Sequence, residues 1–416
     1  MKTVRKVSQI GCDCHRRFST VTARDDQNRI VWRQRLEHAN RQKLREQIRT
    51  WPKGTPVILE GTFGWGWLSD EFLDAGLDPH LASSRKVAAW REARGMAKSN
   101  RKDADLLSEL WDQKPRWWEV WLAPPEVRDQ REWLRYRMTL VQIQTGLKNR
   151  IHAVMHRHGI VHDYADLFGI HGRRFLNLLV APKDRTLPRS ARAVLKGYLQ
   201  LLDHLRRQIA SATREFRKQV KRSPAPRRLM TLPGISWILS YTILAEVGRI
   251  ERFAGSKHLA SYSLLVPRAY DSGDDDDDSP KGRHVGHVGR RTLKWAWIEA
   301  AHGAVRKGGR FRALFDRRTN GGKRDRNRGY IAVGHELCRV AYVLWSKELD
   351  YCETPPARTG SRKPSSLRRS AVSNQDQDQA RAPTRARSRL RGSQTRSRRS
   401  RPGTGQPEHP MVPVVY

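Results

Sequence analysis

Apolar and polar positions change rhythm several times along the chain. Between residues 4 and about 112, short apolar runs alternate with longer periodic stretches. Val7 to Cys14 reads as a strand, Phe18 to Ala23 as a second and Arg29 to Arg35 as a third, with the turn residues Asp25, Asp26, Gln27 and Asn28 between the last two. Asn40 to Trp51 has a helical pattern. Pro56 to Glu60 (PVILE) is a continuous apolar run ending in an acid, as in a strand buried on both faces. Trp65 to Ala75 predicts a helix, His80 to Ser83 a last strand, and Ser84 onward a helix again.

Three strands followed by helix, strand, helix, strand and helix is the element order of an RNase H-type fold. Beyond Pro124 and Pro125 the pattern changes to long helices. Leu134, Met138, Val141, Leu147, Ile151 and Val154 recur mostly at three- and four-residue steps or their sums, and Leu195, Leu199, Leu202, Leu205, Ile209, Ala212 and Phe216 do so more regularly. Two amphipathic helices, separated by a less regular stretch around Gly159 to Arg189, predict an antiparallel or intermolecular coiled coil, serving either as a spacer or as a dimerisation arm. Arg128, Arg131, Arg135 and Arg137 are expected on their outer faces, in reach of nucleic acid. The expected organisation is an α/β domain over 1–123, a helical coiled-coil region over 124–226, a mainly α domain over 227–353 and a tail over 354–416.

Charge narrows the choice of partner. The chain of 416 residues has 81 Lys and Arg against 42 Asp and Glu, a net charge of +39, and so large a surplus implies a polyanion. No run approaches the roughly 20 apolar residues of a spanning helix, and Met1 leads into Lys2, Arg5 and Lys6 with no signal-peptide core behind them. The expectation is a prokaryotic cytoplasmic protein on the nucleoid, bound to nucleic acid and not to membrane. From Thr354 onward 14 Lys and Arg face 3 Asp and Glu among Ser, Pro, Gln and Thr, which predicts a disordered basic arm that attracts phosphate without sequence preference. Cys12, Cys14, Cys338 and Cys352 form no CxxC pair and have no His at zinc spacing, so they are expected as buried small hydrophobes.

Two acids stand out against this background. Asp13 lies inside the first strand between Cys12 and Cys14, whose side chains must point to the opposite face. Glu60 ends the strand PVILE in the same manner, and in an RNase H-type sheet these two strands are neighbours. Their carboxylates would then converge, as oxygen ligands for a hard cation such as Mg²⁺ do; alternatively each pairs with one of the abundant arginines. In the run KSNRKDADLLSEL, Asn100 and Asp103 share a helical face, whereas Asp105 faces away.

The segments GCDCH, ILEGTFGW and KSNRKDADLLSEL resemble the three acidic motifs of the insertion-sequence family 110 (IS116/IS110/IS902-type) transposases, whose RuvC-like N-terminal domain carries a DEDD metal site. The resemblance puts the four positions on Asp13, Glu60, Asn100 and Asp103. The third is an Asn here, whose amide oxygen can ligate Mg²⁺ without charge, so the metal would be held more weakly, or Asp105 borrowed by distorting the helix. LMTLPGISWILSYTILAEVGRIERF is similar to the family's helix-hairpin-helix-like opening, in which a Pro-Gly turn, here Pro233 and Gly234, offers backbone amides to a DNA phosphate. HLASYSLLVPRAYDSG resembles the segment whose Ser-Gly bears the nucleophile, and this assigns that role to Ser272. GRHVGHVGRRTLKWAWIEAAH resembles the basic loop and helix that follow.

The resemblance thus implies a transposase that cuts and rejoins DNA by attack of Ser272 on a phosphate, with Mg²⁺ on the acids and Arg268, Lys281, Arg283, Arg290 and Arg291 as phosphate contacts. It also implies a structured noncoding guide RNA that bridges donor and target DNA, and a homo-oligomer, dimer or tetramer. Read without the family, Ser272 before Gly273 is a turn serine. The rival functions are a metal-only junction-resolving nuclease and a decayed copy that binds nucleic acid without chemistry. The run from Asp274 to Asp278 is expected as a solvated excursion of the serine loop, and Gly282, Gly286 and Gly289 lack P-loop spacing.

Overall fold

Side-chain alternation along the first strand decides the layout of the N-terminal half. In the computed structural model, which describes residues 6–97, 99–266 and 290–353, strand β1 (Gln9–Cys14) is buried on both faces. Ile10, Cys12 and Cys14 join Val57 and Leu59 of β4 (Pro56–Glu60) on one face, under Leu44 and Ile48 of helix α1 (Arg41–Arg49) and Leu68 and Phe72 of α2 (Trp65–Asp74). On the other face Ile58 and Ala82 pack against Val87 of α3 (Ser84–Ala93) and against Leu106 and Leu107 of α4 (Asn100–Glu109). Gly11 belongs to that second face, and a Cβ there would lie 2.2 Å from Ser108 N and 2.3 Å from Ala104 O. Only glycine lets α4 rest directly on the strand.

The sheet has six strands in the order β3-β2-β1-β4-β5-β6, completed by β2 (Phe18–Arg24), β3 (Ile30–Glu37), β5 (Asp78–Ala82) and the two-residue β6 (Glu119–Val120). The first three strands form an antiparallel meander, whereas β4 is parallel to β1 and to β5. The predicted elements are present with ends shifted by a few residues, and β1 and β4 are neighbours as expected. The helical stretch expected after Ser84 is two helices, broken where Gly95 takes a positive φ of 60°. Side chains cap helix starts, Asn40 accepting from Lys43 N at 2.9 Å and Ser99 from Lys102 N at 3.3 Å.

Two long helices follow, α5 (Pro125–Arg157) and α7 (Arg189–Arg222), with α6 (Ile170–Leu179) inside the stretch that the sequence pattern leaves irregular. They run antiparallel along one apolar seam: Leu147, Ile151 and Val154 pack with Leu195, Leu199 and Leu202, and nearer the other end Arg137 Nε donates to Thr213 Oγ1 at 3.0 Å. The expected outward arginines need correction. Arg131 is buried, Arg128 is held by Asp70 at 2.5 Å and Arg137 is half-buried, so of the four only Arg135 is exposed.

The C-terminal half is helical: α8 (Pro224–Leu229), α9 (Trp237–Val247), α10 (Ser256–Tyr262), α11 (Arg291–Lys307), α12 (Gly309–Thr319) and α13 (Arg326–Ser346). Their core is centred on Leu239, Ile243, Trp297, Phe311 and Leu337. Helix α9 is buried at every position from Leu239 to Val247 because it is enclosed by neighbours: Tyr241 stacks on Phe216 of α7 at 3.8 Å between centroids, and its hydroxyl donates to Gln130 O of α5 at 3.0 Å. Cys12, Cys14 and Cys338 are buried, but Cys352 is exposed, against the expectation for that residue. Among the described residues no helix is long and apolar enough to cross a membrane.

Candidate metal centre and adjoining cleft

Parallel pairing of β1 with β4 matches Ile10 to Val57 and Cys12 to Leu59, so Asp13 and Glu60 stand one step beyond the last pair. Both follow the face of Gly11 and Ile58 and so turn toward α4. From that helix comes Asp103, 5 % exposed. Burial, the neighbouring Asp13 carboxylate and then Asp103 raise the Glu60 carboxyl above its ordinary value, against the Ser84 hydroxyl bond and Arg91, which pull it down. Three carboxyl groups therefore share one field at the ends of two strands, and two cationic or ionisable side chains meet them: Arg91 Nη1 lies 2.9 Å from Asp103 Oδ1 and His15 Nε2 lies 3.0 Å from Asp13 Oδ2.

Asn100 is the exposed first residue of α4, one turn before Asp103 and on its face. Asp105 looks the other way. It accepts from Thr22 Oγ1 at 2.7 Å and from Arg33 Nε and Nη2 at 2.8 and 2.9 Å. Burial alone would raise its carboxyl, but the bonds from Arg33 and Thr22 outweigh that and hold it below the ordinary range. Asp105 thus ties α4 to β2 and β3, and its recruitment as a substitute ligand would break that tie.

In donor chemistry the acids fit a hard divalent cation: oxygen ligands only, mutual repulsion that a cation would relieve, and an amide oxygen one turn away. Their spacing does not yet form one coordination shell, since among the described residues no three His, Cys, Asp or Glu side chains are grouped to hold a metal. Arg91 draws the Asp103 carboxylate toward a cation of the protein, and His15 stands beside Asp13. Neither partner was anticipated from the sequence. His15 stands two residues after Asp13 but just past the end of β1, where strand alternation no longer fixes its side; the approach of Arg91 depends on how α3 packs beside α4.

Beside the acids opens a cleft of about 880 Å³. Gly61, which follows Glu60, and Ser84, which bonds it, line one wall. Arg131 and Arg135 of α5, Arg252, Tyr262 and Arg290 line others, together with Val266. Val266 and Arg290 are the described residues on either side of the segment 267–289, so Ser272, Arg268, Lys281, Arg283 and the run from Asp274 to Asp278 lie outside the described residues. Arg290 Nε donates to Tyr262 Oη at 3.0 Å and its Nη1 is 3.3 Å from Glu246 Oε2. Arg291 is exposed and opens α11. Pro233 and Gly234 form the turn between α8 and α9. With φ of 86°, Gly234 packs so closely on α11 that a Cβ would lie 2.1 Å from Ala300 O, which accounts for glycine there.

Comparison with known proteins points the same way for both halves. A transposase family model, that of the DEDD transposases of IS110 elements, matches residues 10–160, and the model of the transposase IS116/IS110/IS902 family matches residues 226–316. The chain is 22 % identical over 362 residues to the transposase for insertion sequence element IS1111A of Coxiella burnetii (strain RSA 493 / Nine Mile phase I), covering 84 % of this chain and 93 % of that one. It is 23 % identical over 277 residues to the transposase for insertion sequence element IS1328 of Yersinia enterocolitica, covering 64 % and 76 % respectively.

Proposed function

This chain belongs to the IS116/IS110/IS902 family of transposases, and from that premise we propose that it cuts and rejoins DNA of an insertion sequence, with Ser272 as nucleophile. The observation that carries the reading is electrostatic: Asp13 and Asp103 both act on the Glu60 carboxyl, beside a cleft lined by Val266 and Arg290, the described residues on either side of the Ser272 segment. On this reading the N-terminal half is an RNase H/RuvC-like domain, the long helices are a coiled-coil arm, and α8, the Pro233–Gly234 turn and α9 act as a helix-hairpin-helix-like phosphate contact.

Asp13, Glu60 and Asp103, with the Asn100 amide oxygen, would hold Mg²⁺, which when bound supplies electrostatic stabilisation to phosphate oxygens. An ion would compete with Arg91 for the Asp103 carboxylate, which Arg91 meets at Oδ1. Ser272 Oγ attacks phosphorus and loses its proton, the bond from phosphorus to the departing sugar oxygen breaks, and that oxygen takes up a proton. The products are a DNA–serine phosphodiester and a free hydroxyl end, so reversal toward another end rejoins the strand. Arg268, Lys281, Arg283, Arg290 and Arg291, which flank Ser272 in sequence, neutralise the phosphate. A structured noncoding RNA that bridges donor and target DNA, and assembly as a dimer or tetramer, complete the reading; the net charge of +39 accommodates both nucleic acids.

Incubation with cleavable DNA and Mg²⁺ is expected to yield a covalent protein–DNA adduct that survives denaturation and maps to the peptide containing Ser272. Ser272→Ala is expected to form none while still binding DNA, and Asp13→Ala to form none either. Strand cleavage without adduct, spared by Ser272→Ala and abolished by Asp13→Ala, would replace the serine reaction with metal-only hydrolysis. Intact binding without cleavage in any variant would leave an inert nucleic-acid binder.

A further inference from the structure

Three guanidinium groups that line the cleft crowd onto the last turn of α9. Arg131, 5 % exposed, donates from Nε to Ala245 O at 2.9 Å and from Nη2 to Glu246 O at 3.0 Å. Arg252 donates from Nε to Val247 O at 3.0 Å, and Arg290 reaches the Glu246 carboxylate and the Tyr262 hydroxyl as described. Part of this arrangement is helix capping, since the last carbonyls of a helix lack internal partners and carry the negative end of its dipole. Among the described residues, half a negative charge from a helix end and one carboxylate, Glu246, face these three cations. Burial and then the nearby Arg290 draw Arg131 down to about 10, and the same two causes lower Arg252.

Arg252 also holds a donor that capping leaves unused. Its Nη2 is buried and has no hydrogen-bond partner among the described residues, an expensive state for a charged group. The guanidinium is fixed over three rings, 4.4 Å from the centroid of Trp121, 4.1 Å from that of Phe253 and 4.4 Å from that of Tyr262. Trp121 is itself held against the backbone, for a Cβ on Gly248 would come within 2.4 Å of its ring. Among the described residues the cluster thus has more cations than anions, with Arg131 buried, Arg252 and Arg290 partly buried, and all three lining the cleft.

We propose that Arg131, Arg252 and Arg290 form a seat for one phosphodiester of a nucleic-acid backbone. A phosphodiester is a monoanion whose two unesterified oxygens match the fork of a guanidinium, and its charge is the one the cluster lacks. The cleft lining also includes Gly61 and Ser84, next to Glu60. A strand anchored at the seat is therefore led past the acids, and the arginines act as positioning residues. This rests on the proposed recombinase reading, which supplies the nucleic acid.

The test is binding without cleavage, to a generic DNA duplex and to an RNA duplex of the same sequence, titrated over a range of salt in EDTA. Arg252→Gln is expected to reduce the slope of log affinity against log salt by about 0.9 on the seated nucleic acid, the change that follows when one phosphate is no longer neutralised. Arg252→Lys, which keeps the charge and loses the fork, is expected to keep the slope and bind more weakly. A reduced slope on the DNA duplex, the RNA duplex or both supports the seat and identifies the strand it takes. An unchanged slope in a folded Arg252→Gln overturns it, and so does a lowered melting temperature with the slope intact, which is the signature of capping alone. If Arg252→Gln fails to fold, wild-type affinity in Arg252→Lys overturns the seat. Wild-type protein that binds neither duplex overturns the recombinase reading along with it, whereas normal wild-type binding with silent variants overturns only the seat.

Discussion

At the scale of single residues, the acidic centre is a contest between cations. Arg91 holds Asp103 at 2.9 Å, and one turn away the neutral Asn100 adds no charge to oppose it. A carboxylate at 100 would give an entering divalent ion a further charged ligand on the face of Asp103, and so favour release of Asp103 from Arg91. Asn100→Asp is therefore expected to tighten Mg²⁺ binding several-fold, read by calorimetric titration, with Asp13→Ala weakening it. Unchanged affinity in both variants would remove the metal site from the proposal. The acids at 13 and 60 were legible because a charge inside or at the end of an apolar strand is conspicuous; helical spacing put Asp103 and Asp105 on different faces, and the family resemblance chose Asp103. The arginine cluster was not. Arg131 lies among evenly charged helix positions and Arg252 follows a helix end, so nothing in the local pattern marks either as buried; only the packing of α5 across the end of α9 does so.

At the scale of elements, ion pairs join helices that the sheet alone would leave loosely attached. Glu71 of α2, 6 % exposed, accepts from Arg45 Nε and Nη2 at 2.6 and 2.9 Å and from Arg41 Nη1 at 3.2 Å, all across to α1. The Arg45 hydrogen bonds hold the Glu71 carboxyl below its ordinary value of 4.5. A carboxyl lowered on folding stabilises the folded state above its unfolded pKa, and that contribution fades as pH falls through the folded value. Glu71→Gln is expected to lower the melting temperature at pH 7 on the order of 2 °C, the arginine ends being half-exposed and screened, and to approach wild type below pH about 4. A difference that persists undiminished in acid would mean that packing, not charge, is what the substitution disturbs. Elements with several apolar turns or a full strand of alternation were legible. Helix α6 was not, because its buried side is short, with only Gly172, Leu176 and Leu179 buried. Nor was β6, whose two residues are strand only through pairing with Leu81 and Ala82.

At the scale of the whole molecule, positive charge and apolar side chains are unevenly divided along the chain. The described residues fall within one compact unit, Met1–Pro355, built on separate cores under the sheet, along the paired long helices and inside the C-terminal bundle. The remaining residues, from Pro356, contribute a net +11 and almost no large apolar side chains. Removing them takes away charge and few large apolar side chains. Deletion after Pro356 is therefore expected to leave the melting temperature and helical signal unchanged while weakening binding to DNA and flattening its salt dependence, by about 0.9 in slope for each phosphate that the tail would otherwise neutralise. This reduction differs in kind from that of Arg252→Gln, which frees one phosphate at a fixed place in the cleft, so the two should add when combined, as changes at independent sites do. A truncated chain that aggregates or loses helix would show that the terminal segment is part of the fold. A truncated chain with wild-type affinity and slope would instead assign all phosphate attraction to the body of the protein, and with it the surplus cations of the cleft.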